Sequence, residues 1–236
     1  MLNTGYPRIW LALVLSSVVV ACGTTSPSST APTASTTAAP AGSATGQTGG
    51  SPAPASTPDR VAGWQGDLAL LIPGMERLHK DLYHSVDKQT LADAVAELRA
   101  TVPTATDDQL LDGVLRVVAL VSAGGCDAHT GAYVWGSGSY PLDAIPLRVW
   151  LFGDDVDVVA ALAPYQDLVG KRIVSIEGHP IADVIEAIDP LVPRDNEQTV
   201  RLLTPRFLLI PQVLRGLGLA DVGSITLGID AGDGTQ

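Results

Sequence analysis

Leu168-Val169-Gly170-Lys171-Arg172-Ile173-Val174-Ser175-Ile176-Glu177-Gly178-His179-Pro180-Ile181 is the stretch whose reading decides the fold. Ile173, Val174 and Ile176 are β-branched and lie between Gly170 and the pair Glu177-Gly178, which predicts a strand, a tight turn and a short return. An amphipathic helix over 181–188 comes next. Working backwards, Val156 to Ala161 reads as a strand, and Gly153-Asp154-Asp155 as the turn that pairs it with a strand over Leu147 to Phe152. Ala132 to Trp135 is a further short strand. Working forwards, Asn196 to Leu219 is helical at its start and near its end, with Pro205 and Pro211 interrupting. Ser224 to Asp230 alternates Ile225, Leu227 and Ile229 as a last strand.

Three helices precede this β-rich part. Leu68, Leu71, Ile72, Met75, Leu78 and Leu82 recur at helical spacing from Asp67 to about Tyr83, with Pro73 expected to kink or split the helix. Lys88 to Arg99 forms the second, with Leu91, Val95 and Leu98 inward and Pro103 closing it. In the third, Thr106 suits the N-cap, and Asp107 and Asp108 suit the positive end of the dipole. Leu110, Leu111, Val114, Leu115, Val117, Val118 and Val121 face the core until Gly124-Gly125. The fold class is therefore α+β: a three-helix bundle over 59–130, then a small β-rich region over 131–236.

Everything before residue 59 reads as export and tethering. Arg8 precedes an apolar run from Ile9 to Val20 that is too short to span a bilayer, which needs about 20 residues, and fits a secretion signal over 1–21. Val19-Val20-Ala21-Cys22-Gly23 is similar to the lipobox of bacterial lipoproteins. That likeness implies lipidation of the Cys22 sulfur and attachment to the outer face of a membrane, since two or three acyl chains hold a protein stably on a bilayer. Residues 22–58 are almost wholly Ser, Thr, Ala, Pro and Gly, a composition too poor in apolar surface to offset the entropy of folding. They are expected to form a disordered tether.

Composition narrows the function classes. The net charge of −11 excludes a nucleic-acid partner and any polybasic grip on anionic lipid. With Cys22 lipidated, Cys126 stands alone, so no intramolecular disulfide is expected, and Cys126 is read as a small buried hydrophobe or a free thiol. His79, His84, His129 and His179 lack the spacing of a zinc motif, and no Gly-rich phosphate loop is present; no metal or cofactor is expected. His79 and His84 are placed on a helix surface and His179 in an exposed turn. The pairs Asp107-Asp108 and Asp154-Asp155 are read as capping and turn residues.

From Trp64 to about Ile229 the order of parts resembles the tail-specific, or C-terminal-processing, serine peptidases, which include tricorn-like and retinoid-binding-protein-like members. Gly124-Gly125-Cys126-Asp127-Ala128-His129-Thr130, with Tyr133 just beyond, is similar to the family's Gly-Asp-x-His-Thr motif at the end of its helical N-terminal part. Gly170 to Gly178, with Ile173 and Ile176, is similar to the strand of its PDZ-like piece, Glu177 replacing the usual Asn and Lys171 the usual Asp. Trp64-x-x-Asp67-Leu68 and His79-x-Asp81-x-Tyr83-His84 look like the opening helix of some members.

The resemblance implies peptide hydrolysis in the full-length family, by a serine and a base carried on a later α/β core. No residue here matches the Asn-x-Gly-Gly type loop that opens that core, and Lys80, Lys88 and Lys171 lie too early to match its base. The catalytic core is accordingly expected to be absent, and 131–236 truncated. Asp127 and His129 with Ser122 or Ser139 have the letters of a triad, and Cys126 with His129 those of a thiol dyad, but adjacency in sequence rarely gives the ~3 Å approach such pairs need. Asp127, His129 and Thr130 are read as structural, tying the turn to nearby backbone. Two functions are expected: an exported, membrane-anchored lipoprotein corresponding to the non-catalytic front of a serine peptidase, or a non-catalytic surface lipoprotein that binds peptides or a protein partner.

Overall fold

The computed structural model describes residues 57–127, 129–132 and 142–230. The signal, Cys22, most of the tether, Ser139 and Tyr133 to Trp135 of the first expected strand lie outside them.

Helix α1, Pro58–Leu78, begins well before Asp67 because the last tether residues form its cap: Thr57 Oγ1 accepts the Arg60 amide and Pro58 occupies the first turn, where its missing N–H costs nothing. Pro73 lies inside α1 without ending it. An interior proline costs roughly 3 kcal/mol, and the buried stripe of Trp64, Leu68, Leu71 and Met75 offsets it. The helix closes at His79, whose N–H donates to Met75 O at 2.8 Å. Leu82 is buried, but from the turn after α1 rather than from the helix.

Helix α2, Lys88–Thr101, is capped by Asp87, which accepts the Gln89 and Thr90 amides. Helix α3, Asp107–Leu120, opens on a full capping box between Thr106 and Gln109. Asp107 also binds across to α1, where Arg60 Nε and Trp64 Nε1 each donate to its Oδ1 at 2.8 Å. The three helices share one apolar core, in which Leu68, Leu91, Leu110 and Val118 are almost wholly enclosed.

Strands β1, Leu147–Phe152, and β2, Asp155–Ala161, form an antiparallel hairpin registering Phe152 with Asp155 and Leu147 with Ala161. Strand β3, Arg172–Ile176, starts later than the sequence suggests because Gln166–Leu168 is a 3-10 turn and Gly170 is left-handed at φ +84°. It pairs antiparallel with β2 at Ile173–Val156, with β4, His179–Pro180, at Ile176–His179, and with β5, Leu227–Asp230, at Ile176–Leu227. Glu177 and Gly178 turn between β3 and β4 with φ of +50° and +79°, the double positive φ of a type I′ turn. A glutamate is unfavourable there, and it is held by Thr226: the Glu177 amide donates to Thr226 O, and the Thr226 amide donates to the Glu177 carboxylate.

Helix α4, Ile181–Ile188, lays Val184 and Ile188 against β3. Helix α5, Glu197–Phe207, is capped by Asn196 and runs through Pro205; α6, Pro211–Gly216, starts on Pro211. Phe207, fully buried, centres a second core with Val156, Ile173, Ile176, Ile188 and Leu214. Helix α3 serves both cores, since Leu110, Val117 and Val118 face the first while Leu115 faces the second. Against α6, Arg215 Nε donates to Asp108 Oδ2 at 2.6 Å. Among the described residues, no helix is long and apolar enough to cross a membrane.

Candidate functional site

The chain leaves α3 in a reversal fastened to the segment before α5. The buried Ser122 hydroxyl donates to Ala119 O and accepts the Arg194 amide. Gly125 is left-handed at φ +78°, and a Cβ there would come within 3.1 Å of Asp195 O; the next amide, that of Cys126, donates to the same carbonyl at 2.8 Å. Ser122 is therefore committed on both sides to backbone and is no nucleophile. Cys126 is an exposed free thiol, the second of its two readings, and not a buried hydrophobe: with φ at +62° it belongs to the exposed crest of the reversal and not to the apolar face of α3.

Asp127 organises the chain beyond that crest. Its Oδ1 accepts the His129 and Thr130 amides at 3.1 and 3.0 Å, a local turn that aspartate side chains favour. Its Oδ2 faces two imidazoles, His79 Nε2 at 3.2 Å and His84 Nε2 at 3.8 Å. Burial alone would raise the Asp127 carboxyl, but hydrogen bonds from the Thr130 hydroxyl and amide, the His129 amide and His79 outweigh it and hold the group below its ordinary value.

The two rings are stacked, centroids 5.5 Å apart and nearly parallel. Both also meet Asp81: its amide donates to His79 Nδ1 at 3.0 Å, and its carbonyl accepts from His84 Nδ1 at 2.8 Å. His79 is the C-cap of α1 and His84 lies in the turn beyond it. Their placement on a helix surface is thus corrected, because α1 ends at Leu78 and the chain bends both rings toward Asp127. The pairing spans 48 residues, and the sequence signal that could have found it is weak: a histidine pair after a helix and one aspartate in a Gly-Gly turn.

The remaining sequence candidates are distributed by their packing. His129 is exposed and Thr130 buried; His129 enters the turn through its amide. Among the described residues, no hydroxyl or thiol is hydrogen-bonded to the His79 or His84 ring. Ile173 and Ile176 are core residues of the sheet, Gly170 and Gly178 supply positive φ at its turns, and His179 is exposed on β4. Chemically, the site offers a fixed carboxylate oxygen and two imidazole nitrogens converging on it.

No family model matches the chain, and no curated protein matches its sequence. Among solved structures, it is similar to a mutant of CPAF at 16% identity and a TM-score of 0.48, over 72% of this chain and 31% of that one. Mature CPAF complexed with lactacystin gives 17% and 0.47, over 74% and 33%. Mature CPAF gives 15% and 0.43, over 72% and 32%. The chain thus spans about a third of the length of these structures.

Proposed function

We propose that this chain is the non-catalytic front part of an exported, lipid-anchored serine peptidase of the tail-specific type. The observation that carries the reading is the motif from Gly124 to Thr130, which resembles that family's and whose described residues form a built reversal: the Cys126 amide is anchored on the Asp195 carbonyl, Ser122 just before it holds the Arg194 amide, and the Asp127 side chain fixes the amides of His129 and Thr130. A turn secured by that many bonds is a rigid mount for an exposed His129. The hairpin of β3 and β4 leading into α4 is read in the same light as a PDZ-like element.

The chain by itself is expected to leave an unfolded protein such as casein uncleaved, and a longer product of the downstream reading frame, carrying a serine and its base, is expected to cleave it. Hydrolysis by the 236-residue chain that disappears in His129→Ala would overturn this assignment. For the anchor, Cys22→Ala is expected to release the exported protein from membranes and to change its gel mobility; unchanged membrane attachment would refute lipidation.

One observation favours peptide binding as a second reading. Among the described residues β1 pairs only with β2, and it bears exposed Trp150 and Phe152, features suited to adding a peptide strand. Saturable binding of extended peptides, lost in Trp150→Ala, together with no peptidase core encoded downstream, would select it.

A further inference from the structure

We propose that His79, His84 and Asp127 form a binding site for a divalent transition-metal ion, with zinc as the fitting probe. The three donors come from three places in the chain: the cap of α1, the turn before α2 and the reversal after α3. One ligand atom from each lies within 4.8 Å of the others. Zinc bonds to nitrogen and carboxylate oxygen are about 2.0 to 2.2 Å long, so donors sharing one ion sit roughly 3.2 to 3.6 Å apart. The approaches of 3.2 and 3.8 Å to Asp127 Oδ2 need little adjustment.

The surroundings prepare two of the ligands. Asp127, whose side chain is only 8% exposed, has Oδ1 taken by two amides, which leaves Oδ2 aimed at the rings. His84 donates from Nδ1 to the Asp81 carbonyl, which keeps its lone pair on Nε2 and fixes the ring, the outer arrangement typical of a metal-ligating imidazole. His79 stands differently. Its Nδ1 accepts the Asp81 amide, so the neutral ring carries its proton on Nε2, pointing at Asp127. A metal takes the place of that proton: Nε2 loses it, Nδ1 gains one, and the Asp81 amide turns from the ring to water. Asp81 lies in an exposed turn, where water can replace the ring as acceptor.

Two imidazoles with one carboxylate select a late first-row ion over magnesium or calcium, which prefer all-oxygen shells. Water completes the coordination on the exposed side of His84. The bound ion would staple the α1–α2 turn to the chain leaving α3. This site is independent of the peptidase reading, since it requires neither a nucleophile nor a further domain.

Titration of the full, metal-stripped chain with zinc, and with cobalt as a coloured substitute, tests the proposal. The expected results are one equivalent bound, visible absorption from the cobalt form, and a rise of several degrees in melting temperature with zinc but not with magnesium. His79→Ala and His84→Ala are each expected to weaken binding at least tenfold, and His179→Ala to leave it unchanged. Asp127→Asn keeps an oxygen for the two amides while removing the charge, so it is expected to lose zinc affinity yet melt near the wild type in chelator. Zinc affinity unchanged in His84→Ala and Asp127→Asn, or no binding by the wild type, would overturn the site.

Discussion

Asp112→Asn is expected to stabilise the protein by several kcal/mol at pH 8 and to have little effect at pH 4. Asp112 lies on α3 against α6, only 4% exposed, and neither carboxylate oxygen has a hydrogen-bond partner. Burial, with a smaller contribution from the neighbouring charge of Asp108 and partial relief from Arg116, pushes its carboxyl up to about 8. In the unfolded chain the same group ionises near 3.8. Because the folded value is the higher one, the folded state holds the proton more tightly. Its contribution to stability is complete below pH 4 and declines as pH rises toward 8. At 1.36 kcal/mol per pH unit the whole displacement corresponds to on the order of 5 kcal/mol, a ceiling that water penetration would lower. Asparagine keeps the shape and never ionises, so it removes the pH-dependent loss. Urea denaturation of both proteins at intervals from pH 4 to 9 measures this directly. The wild-type midpoint should fall across the range while the variant's stays nearly level; a level wild-type curve would mean that the carboxylate has found a partner.

The same residue marks the limit of what the sequence can convey. Signals confined to a few neighbours were legible: the Thr106 cap, the turn between Phe152 and Asp155, the strand through Ile173 and Ile176, and the helix after Pro180 all arise from local chemistry. The start of α1 was hidden because Thr57 and Pro58 have the composition of the tether while acting as cap and first turn. Pro73 does not split α1, because the cost of a proline is local and the burial that offsets it is not. Leu82 fitted the helical period yet is buried from a turn, since burial alone does not reveal which element supplies a side chain. Sites built across distance leave little local trace. Asp112 sits between Leu111 and Gly113 in a stretch that could equally be surface, and only the placement of α6 turns it into a buried carboxyl. His79 and His84 meet Asp127 only because α3 returns the chain to the end of α1.

The second large effect is expected at the same seam: Gly216→Ala should destabilise the protein by roughly 3 kcal/mol or more. A Cβ on Gly216 would lie 2.2 Å from Asp112 Oδ2 and 2.4 Å from Asp108 O. The side-chain oxygen could swing aside, but the carbonyl belongs to the backbone of α3 and can move only if that helix distorts. Helix α6 must therefore shift away, and it carries the fully buried Val213 and Leu214 of the second core. Overpacking of this kind costs about 1 to 3 kcal/mol and sometimes more, against a gain of at most ~1 kcal/mol from alanine's better helix propensity. Gly66 provides the contrast, since it lies inside α1 with nothing within 4 Å of the added carbon. The identical change there is expected to stabilise by up to ~1 kcal/mol. A further variant separates the two clashes: in the Gly216→Ala, Asp112→Ala double mutant the carboxylate is gone but Asp108 O remains. Any stability gained should match what Asp112→Ala gives by itself, because the backbone contact dominates the cost. Coupling between the two substitutions strong enough to restore wild-type stability would instead make the carboxylate the decisive obstacle, and would place the backbones of α3 and α6 farther apart than this structure does.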